Sequence, residues 1–198
     1  MADYDLAILG GGPGGYVAAI RGAQLGLKTC IVEKDKLGGI CLNWGCIPTK
    51  ALLKNAEVYN TIKNANKYGI KVDNISVDFP ANVKRSRDVS NRLSKGIEFL
   101  MKKNKITHIH GMGKLTSKTT IEIISGKKKE KINAKKTIIA TGAYPRTFPG
   151  METDGQKIIS SREAMMLDTP PKKMIIIGSG AIGCEFASYF NEFGTEIH

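Results

Sequence analysis

The 198-residue sequence contains few cysteines and no long apolar run. Its four cysteines are too few for a disulfide scaffold, and a close cysteine pair in a reducing compartment is more often catalytic or metal-binding than structural. No apolar stretch approaches the roughly 20 residues needed to cross a bilayer, so a membrane-spanning protein is not expected. No signal peptide precedes the first apolar run, which follows an acidic start, and we therefore expect a cytoplasmic protein.

Acidic and aromatic residues are also scarce. The sequence has 30 lysines and arginines against 18 acidic residues, a formal net charge of +12, and only 7% aromatic residues. Nucleic-acid binding would require basic residues on one face with aromatic residues between them, whereas these lysines are scattered in short groups. We interpret them as a solvated surface and expect no nucleic-acid partner. A metal site is not expected either, because the histidines that would complete a tetrahedral set with two cysteines are only His108, His110 and His198.

The order of apolar segments predicts an α/β fold. A strand from Asp5 to Gly10, a helix from Pro13 to Leu25 and a strand from Lys28 to Glu33 would form a βαβ opening. Apolar residues at spacings of three and four then predict helices over residues 41–66 and 81–104.

Beyond these helices the pattern changes to short strands. The predicted strands are Ile106–His110, Thr119–Ile124, Glu130–Ile132 and Thr137–Ala140. We expect the first three to form an antiparallel meander inserted into a parallel sheet and the fourth to be buried. Another apolar strand is predicted from Met174 to Gly178, and the prolines and glycine near Gly150 indicate a linker between domains at 1–150 and 151–198.

A glycine-rich turn follows the first predicted strand. Gly10-Gly11-Gly12-Pro13-Gly14-Gly15 matches the pattern GxGxxG, whose glycines permit a tight turn, close approach of a pyrophosphate and helix–strand packing. Glu33 ends the next strand, where a ribose hydroxyl needs an acceptor. This context favours a dinucleotide site over a plain turn.

Gly178-Ser179-Gly180-Ala181-Ile182-Gly183 repeats the pattern and predicts a second dinucleotide site. The first motif has its acidic residue 23 positions after its first glycine (33 minus 10), which would place the second near position 201, beyond His198. We therefore expect the sequence to be the front part of a longer protein, and no residue present selects between NAD and NADP.

Two cysteines lie between the turns, in the segment from Gly38 to Lys50. Cys41 and Cys46 are separated by four residues at a predicted helix entrance, a layout expected of an enzyme that passes two electrons from a dithiol to a pyridine nucleotide. The partial positive charge at a helix amino terminus favours a reactive thiolate, and Cys46 is placed to benefit from it. Cys30 and Cys184 are predicted to be small buried hydrophobic residues.

These motifs resemble the flavin-dependent disulfide oxidoreductases, and the resemblance extends over essentially the whole chain. Within the family, Leu42-Asn43 and Gly45–Lys50 are most similar to the members that oxidise dihydrolipoyl groups. The sequence departs from the family pattern at Ile40, Trp44 and Tyr144, where threonine, valine and arginine are common. Glutathione-type and mercuric-ion-type reductases remain alternatives, as does a non-catalytic flavin-binding module.

The resemblance implies a Rossmann-like FAD-binding domain with an inserted antiparallel β-meander, followed by the start of a Rossmann-like NAD-binding domain. The residues implied to bind FAD are Gly10, Gly12, Pro13, Gly14, Gly15, Glu33, Lys34, Gly39, Cys41, Lys50, Gly113, Ala140, Thr141 and Gly142. The residues implied to bind NAD are Gly178, Gly180, Ala181, Ile182, Gly183 and Glu185.

The resemblance also implies the roles of the catalytic residues. Cys41 would exchange with the dithiol substrate, Cys46 would face the flavin, and Lys50 would pair with Glu185. The catalytic base would be a histidine from the carboxyl-terminal domain of a partner subunit, which implies a homodimer and an inactive 198-residue chain. The implied partners are lipoyl domains of 2-oxoacid dehydrogenase complexes or of the glycine cleavage system.

Overall fold

In the computed structural model, residues 2–198 are described, and the chain groups into two compact units. The first unit contains the residues up to Asn43 together with Asn91–Tyr144. The second unit contains Trp44–Ser90 and Pro145–His198. The domain boundary near Gly150 stays a prediction.

The chain opens with the predicted βαβ unit, formed by β1 (Ala2–Leu9), α1 (Pro13–Gln24) and β2 (Thr29–Glu33). Strands β1 and β2 pair in parallel, with Leu6 opposite Thr29. The apolar side chains of Leu6–Leu9 and Cys30–Val32 are almost fully buried, and α1 packs against both strands.

Two helices, α2 (Gly39–Trp44) and α3 (Cys46–Lys63), replace the single helix predicted over residues 41–66. Gly45 separates them, since its φ of −150° and ψ of −114° lie outside the helical region. A short 3-10 turn at Ala65–Tyr68 follows, and the second predicted helix is α4 (Phe79–Lys103).

Four strands complete the main sheet: β3 (Thr107–His110), β4 (Met112–Leu115), β5 (Thr120–Ser125) and β6 (Lys128–Ile139). The strand order is β3-β2-β1-β6-β5-β4, with parallel pairing from β3 to β6 and antiparallel pairing from β6 to β4. This mostly parallel sheet, with its antiparallel addition and covering helix, confirms the predicted α/β class.

The sheet corrects three sequence predictions. The segment predicted as Ile106–His110 pairs in parallel with β2 and is not part of the meander, because Gly111 redirects the chain before β4 begins. The segments predicted as Glu130–Ile132 and Thr137–Ala140 form one continuous strand, since β6 pairs first with β5 and then with β1. The end of β6 is not buried: Ile138 is 39% and Ile139 64% exposed, while α1 packs against β1 and β2 instead.

The core of the first unit consists of side chains from β1 and β2 packed with side chains from the meander. Its buried members are Tyr4, Ala7, Leu9, Cys30, Val32, Ile121, Ile123, Ile132 and Ala134. The meander thus contributes buried apolar side chains to the core of this unit.

The second unit adds α5 (Ser161–Ala164), β7 (Lys173–Met174), α6 (Ala181–Glu192) and β8 (Glu196–Ile197). Helix α3 packs against α6 around an aromatic cluster. The strand predicted from Met174 to Gly178 is observed only as the two-residue strand β7, because β8 pairs with only Lys173 and Met174. None of the helices within residues 2–198 is long and apolar enough to span a membrane.

Candidate functional site

The first glycine turn joins β1 directly to α1. Gly10 has a φ of +103°, a backbone conformation that glycine adopts without strain. A Cβ at Gly15 would lie 1.8 Å from the carbonyl oxygen of Gly10, so the helix crosses the turn at a distance that only glycine allows. No side chain among residues 2–198 caps α1 at Gly12, which leaves the helix amino terminus open to an anion such as a pyrophosphate.

The loop before α2 packs against this turn. The Gly38 amide donates to the Gly11 carbonyl oxygen at 2.8 Å, and a Cβ at Gly39 would lie 2.6 Å from the Gly12 Cα. Gly39 therefore packs closely on the backbone of the turn and forms one side of it, called here the Gly39 wall.

Asn43 and Ser94 hold this wall in place, and sequence reasoning missed both. The buried Asn43 amide donates to the carbonyl oxygens of Leu37 and Gly39 at 3.1 and 3.0 Å. The Ser94 hydroxyl donates to Asn43 Oδ1 at 2.9 Å. A signal was present, because a polar residue inside the apolar segment of α2 requires buried partners.

Glu33 is fixed to the turn through its carboxylate. Oε2 accepts the Gly11 amide at 2.7 Å, and Oε1 accepts the Asp35 amide at 2.8 Å. A carboxylate has about four lone-pair positions, so each oxygen keeps capacity for a further donor. The predicted ribose acceptor is therefore oriented by the turn that would hold the pyrophosphate.

Lys34 and Tyr144 are in direct contact although 110 residues separate them. The Lys34 ammonium donates to the Tyr144 hydroxyl and lies 5.1 Å from the centroid of the ring. The hydrogen bond to Tyr144 raises the pKa of Lys34, so this side chain is charged at neutral pH. Sequence reasoning selected Lys34 and recorded Tyr144 only as a departure.

The remaining predicted FAD residues of the first unit lie at the same strand ends. The Ala140 amide donates to the Leu9 carbonyl oxygen at 2.8 Å, which places Thr141 and Gly142 beyond the end of β6. A Cβ at Gly113 would lie 2.7 Å from Leu9 Cδ2, so β4 approaches the end of β1 closely. The carboxyl ends of parallel strands are where α/β folds bind ligands.

The two cysteines of the predicted redox pair lie on successive helices. Cys41 is half-buried in α2, and Cys46 is the exposed first residue of α3. Within the part of the chain that the structure describes, no side chain caps α3 at Gly45, so its positive amino terminus remains available to stabilise a thiolate. Thr49 helps to fix this turn by donating its hydroxyl to the Gly45 carbonyl oxygen at 2.7 Å.

The other two cysteines behave differently from each other. Cys30 is fully buried as predicted, and burial raises the pKa of its thiol to about 12. Cys184 is exposed, so the prediction that it is buried was wrong. It follows the Gly178–Gly183 turn in the first turns of α6, where Ile182 is also 60% exposed.

The second unit contains the predicted partner of Lys50. The Lys50 ammonium forms an ion pair with Glu185 of α6, which confirms the predicted pairing. The guanidinium carbon of Arg162 lies 4.1 Å from the centroid of the Trp44 ring, and that of Arg87 lies 4.9 Å from it. These contacts anchor the residue that precedes Gly45 and Cys46.

The second glycine turn reproduces the geometry of the first. A Cβ at Gly183 would lie 2.3 Å from the Gly178 carbonyl oxygen, and Gly178 has a φ of +114°. Helix α6 begins after Gly180 without a capping side chain from the described residues, which would allow Ala181, Ile182 and Gly183 to face a pyrophosphate. Across residues 2–198, no group of three or more His, Cys, Asp or Glu residues is arranged to hold a metal ion.

Comparison with known proteins identifies close sequence relatives of this chain. A dihydrolipoyl dehydrogenase of Chlorobaculum parvum is 48% identical over 197 residues, covering 99% of this chain and 42% of that protein. A dihydrolipoyl dehydrogenase of Zymomonas mobilis is 50% identical over 199 residues, covering 100% of this chain and 43% of that protein. The chain thus spans less than half the length of these relatives.

Solved structures agree with the sequence relatives. LpdA from Mycobacterium tuberculosis matches all of this chain over 44% of its own length, with a TM-score of 0.90 and 26% identity. The Cu(II) complex of the flavoprotein disulfide reductase RclA from Escherichia coli matches all of this chain over 42% of its own length, with a TM-score of 0.85 and 27% identity. A family model described as pyridine nucleotide-disulphide oxidoreductase matches residues 4–198. That match covers both glycine turns and the cysteine pair Cys41 and Cys46. The chain therefore belongs to the pyridine nucleotide-disulphide oxidoreductase family.

Proposed function

We propose that this polypeptide carries the FAD site and the redox-active cysteine pair of a dihydrolipoyl dehydrogenase. The observation that carries the proposal is the anchoring of Glu33 to the uncapped glycine turn in the unit that also contains Cys41. Relatives named dihydrolipoyl dehydrogenase at 48–50% identity favour this activity within the family.

The residues present fit FAD. The open backbone of Gly12, Gly14 and Gly15 would hold its pyrophosphate, and Glu33 would accept hydrogen bonds from its adenosine ribose. NAD would use the corresponding turn from Gly178 to Gly183. When bound, FAD would supply the two-electron acceptor through which electrons from a reduced cysteine pair reach NAD.

The chemistry of the protein itself would be thiol–disulfide exchange. A dihydrolipoyl thiolate would attack the Cys41 sulfur of a Cys41–Cys46 disulfide, so that a mixed disulfide forms and Cys46 leaves as a thiolate. The second substrate thiol, after losing its proton to a base, would attack the mixed disulfide and release Cys41. The substrate ends as a cyclic disulfide, and its two electrons reside on the cysteine pair.

The structure suggests why Cys46 would be the leaving sulfur. It lies at the uncapped amino terminus of α3, where the helix dipole favours a negative charge. Lys50 lies one turn further along α3 and is positively charged beside Glu185. We expect the Lys50–Glu185 pair to fix the position of the ammonium one helical turn from Cys46.

The test is a reductive titration of the FAD-loaded protein with dihydrolipoamide in the absence of oxygen. We expect the unaltered protein to gain two alkylatable thiols and a long-wavelength absorbance band from a thiolate beside flavin. Cys46→Ser should gain neither, because no disulfide can form. Cys184→Ser, which removes another exposed cysteine, should behave like the unaltered protein.

Two results would contradict the proposal. Cys46→Ser could react with dihydrolipoamide as the unaltered protein does, which would exclude the disulfide. Alternatively, reduced glutathione could reduce the cysteine pair while dihydrolipoamide does not. That result would favour a related disulfide reductase.

A further inference from the structure

We propose that Tyr144 is a stacking surface for the adenine ring of the dinucleotide held by the first glycine turn. The inference rests on the proposed function, since it concerns the FAD site. It assigns a role to an exposed aromatic side chain on the connection that follows β6.

The position of the ribose defines where adenine would lie. The Glu33 carboxylate is tied to the Gly11 amide, so a ribose bound to Glu33 lies beside the phosphate turn. The carbon that bears the base is adjacent to the one that bears the 2′-hydroxyl. The base therefore lies within about one sugar ring of Glu33 and beside the next residue, Lys34.

Lys34 holds Tyr144 next to that position. Its ammonium donates to the Tyr144 hydroxyl and lies 5.1 Å from the ring centroid, and all of these residues belong to the first unit. The ammonium therefore restrains the hydroxyl end of the ring and does not cover its faces. This restraint lowers the conformational entropy that the ring would lose when a ligand binds.

The ring remains available despite this contact, because Tyr144 is 76% exposed. Large aromatic side chains are usually buried, and one that is both exposed and oriented by a cation suits stacking on a flat ligand. An aromatic side chain can stack on any nucleotide base, because every base has a flat π face, but the stacking requires the aromatic ring itself. The hydroxyl would contribute only through Lys34.

The test measures ligand affinity and not turnover. FAD affinity would be measured by flavin fluorescence, with ADP and inorganic pyrophosphate as competitors. Tyr144→Ala should weaken the binding of FAD and of ADP by the same factor. We expect about tenfold, which corresponds to the loss of one base-stacking contact. Pyrophosphate, which would touch only the glycine turn, should bind unchanged.

Two further variants complete the experiment. Tyr144→Phe keeps the ring and should stay within about threefold of the unaltered protein, since stacking depends on the ring. Tyr68→Ala removes a tyrosine of similar exposure, 71%, from the second unit and should change no affinity.

The outcomes separate the two proposals. Failure of the unaltered protein to bind FAD would overturn the proposed function. FAD binding that is unchanged by Tyr144→Ala would overturn the stacking role alone. Equal weakening of FAD, ADP and pyrophosphate would also overturn it, because that pattern indicates a general distortion of the site.

Discussion

Substitution of adjacent glycines in the first turn should have opposite effects on stability. Gly14 and Gly15 both lie in the first turn of α1, and alanine at either position gains about 0.5–1 kcal/mol of helix propensity. A Cβ at Gly14 would meet only the Ala140 Cβ at 3.9 Å, an ordinary contact. A Cβ at Gly15 would lie 1.8 Å from the Gly10 carbonyl oxygen.

The size of the difference follows from that overlap. Real Cβ atoms essentially never approach another heavy atom within 3.0 Å, so α1 or the turn must move by at least 1.2 Å (3.0 minus 1.8). Overpacking of this kind costs about 1–3 kcal/mol or more. Because the gain in propensity is the same at both positions, the difference between the variants isolates the clash.

The assay is thermal unfolding of both variants, followed by circular dichroism. For a chain of this size about 2 kcal/mol corresponds to roughly 4–8 °C, so Gly15→Ala should melt that far below Gly14→Ala. Gly14→Ala should melt at or slightly above the unaltered protein. Equal midpoints for the two variants would show that the helix does not cross the turn at the distance described.

Other predictions concern the cysteines and the aromatic core. Under reducing conditions at pH 8, iodoacetamide should label the exposed Cys46 and Cys184 in the native protein but Cys30 only after unfolding, because burial raises the Cys30 pKa to about 12. Peptide mass spectrometry would measure this, and labelling of Cys30 at the rate of Cys184 would contradict it. Phe190→Ala should destabilise the protein by about 3–5 kcal/mol, since this fully buried ring contacts Phe79, Phe186 and Tyr189. Phe99→Ala, at a ring that is 63% exposed, should cost less than about 0.5 kcal/mol. Denaturant titration of both variants would measure these costs, and equal costs would contradict the prediction.

Local patterns in the sequence predicted the features that depend on neighbouring residues. The turn from Gly10 to Gly15, the strand ending at Glu33 and the helix that follows Gly45 each have a signal within a few positions. The long helix predicted over residues 41–66 failed at Gly45 because apolar spacing does not report a backbone break. Glycine between two cysteines was the available sign of that break.

Features that depend on distant pairing were not predictable in this way. The end of β6 reads as a buried strand, but its burial depends on which strands α1 covers, and Ile139 is exposed as a result. Cys184 has an apolar helical context, yet its helix presents that residue to the surface. The contact between Lys34 and Tyr144 joins residues 110 positions apart, so no local pattern could indicate it.

The two glycine turns share one sequence pattern but differ in their surroundings. In both, the third glycine touches the carbonyl group of the first, so each pattern specifies the strand–turn–helix crossing. Around the first turn, the described residues of the first unit supply three further elements at close range: the Gly39 wall, the Glu33 carboxylate and the contact between Lys34 and Tyr144. At the second turn, a Cβ at Gly178 or Gly180 would meet no atom of the described residues within 4 Å. The pattern therefore specifies where a pyrophosphate can bind, whereas recognition of the rest of a dinucleotide depends on residues that the fold brings to the turn from elsewhere in the chain.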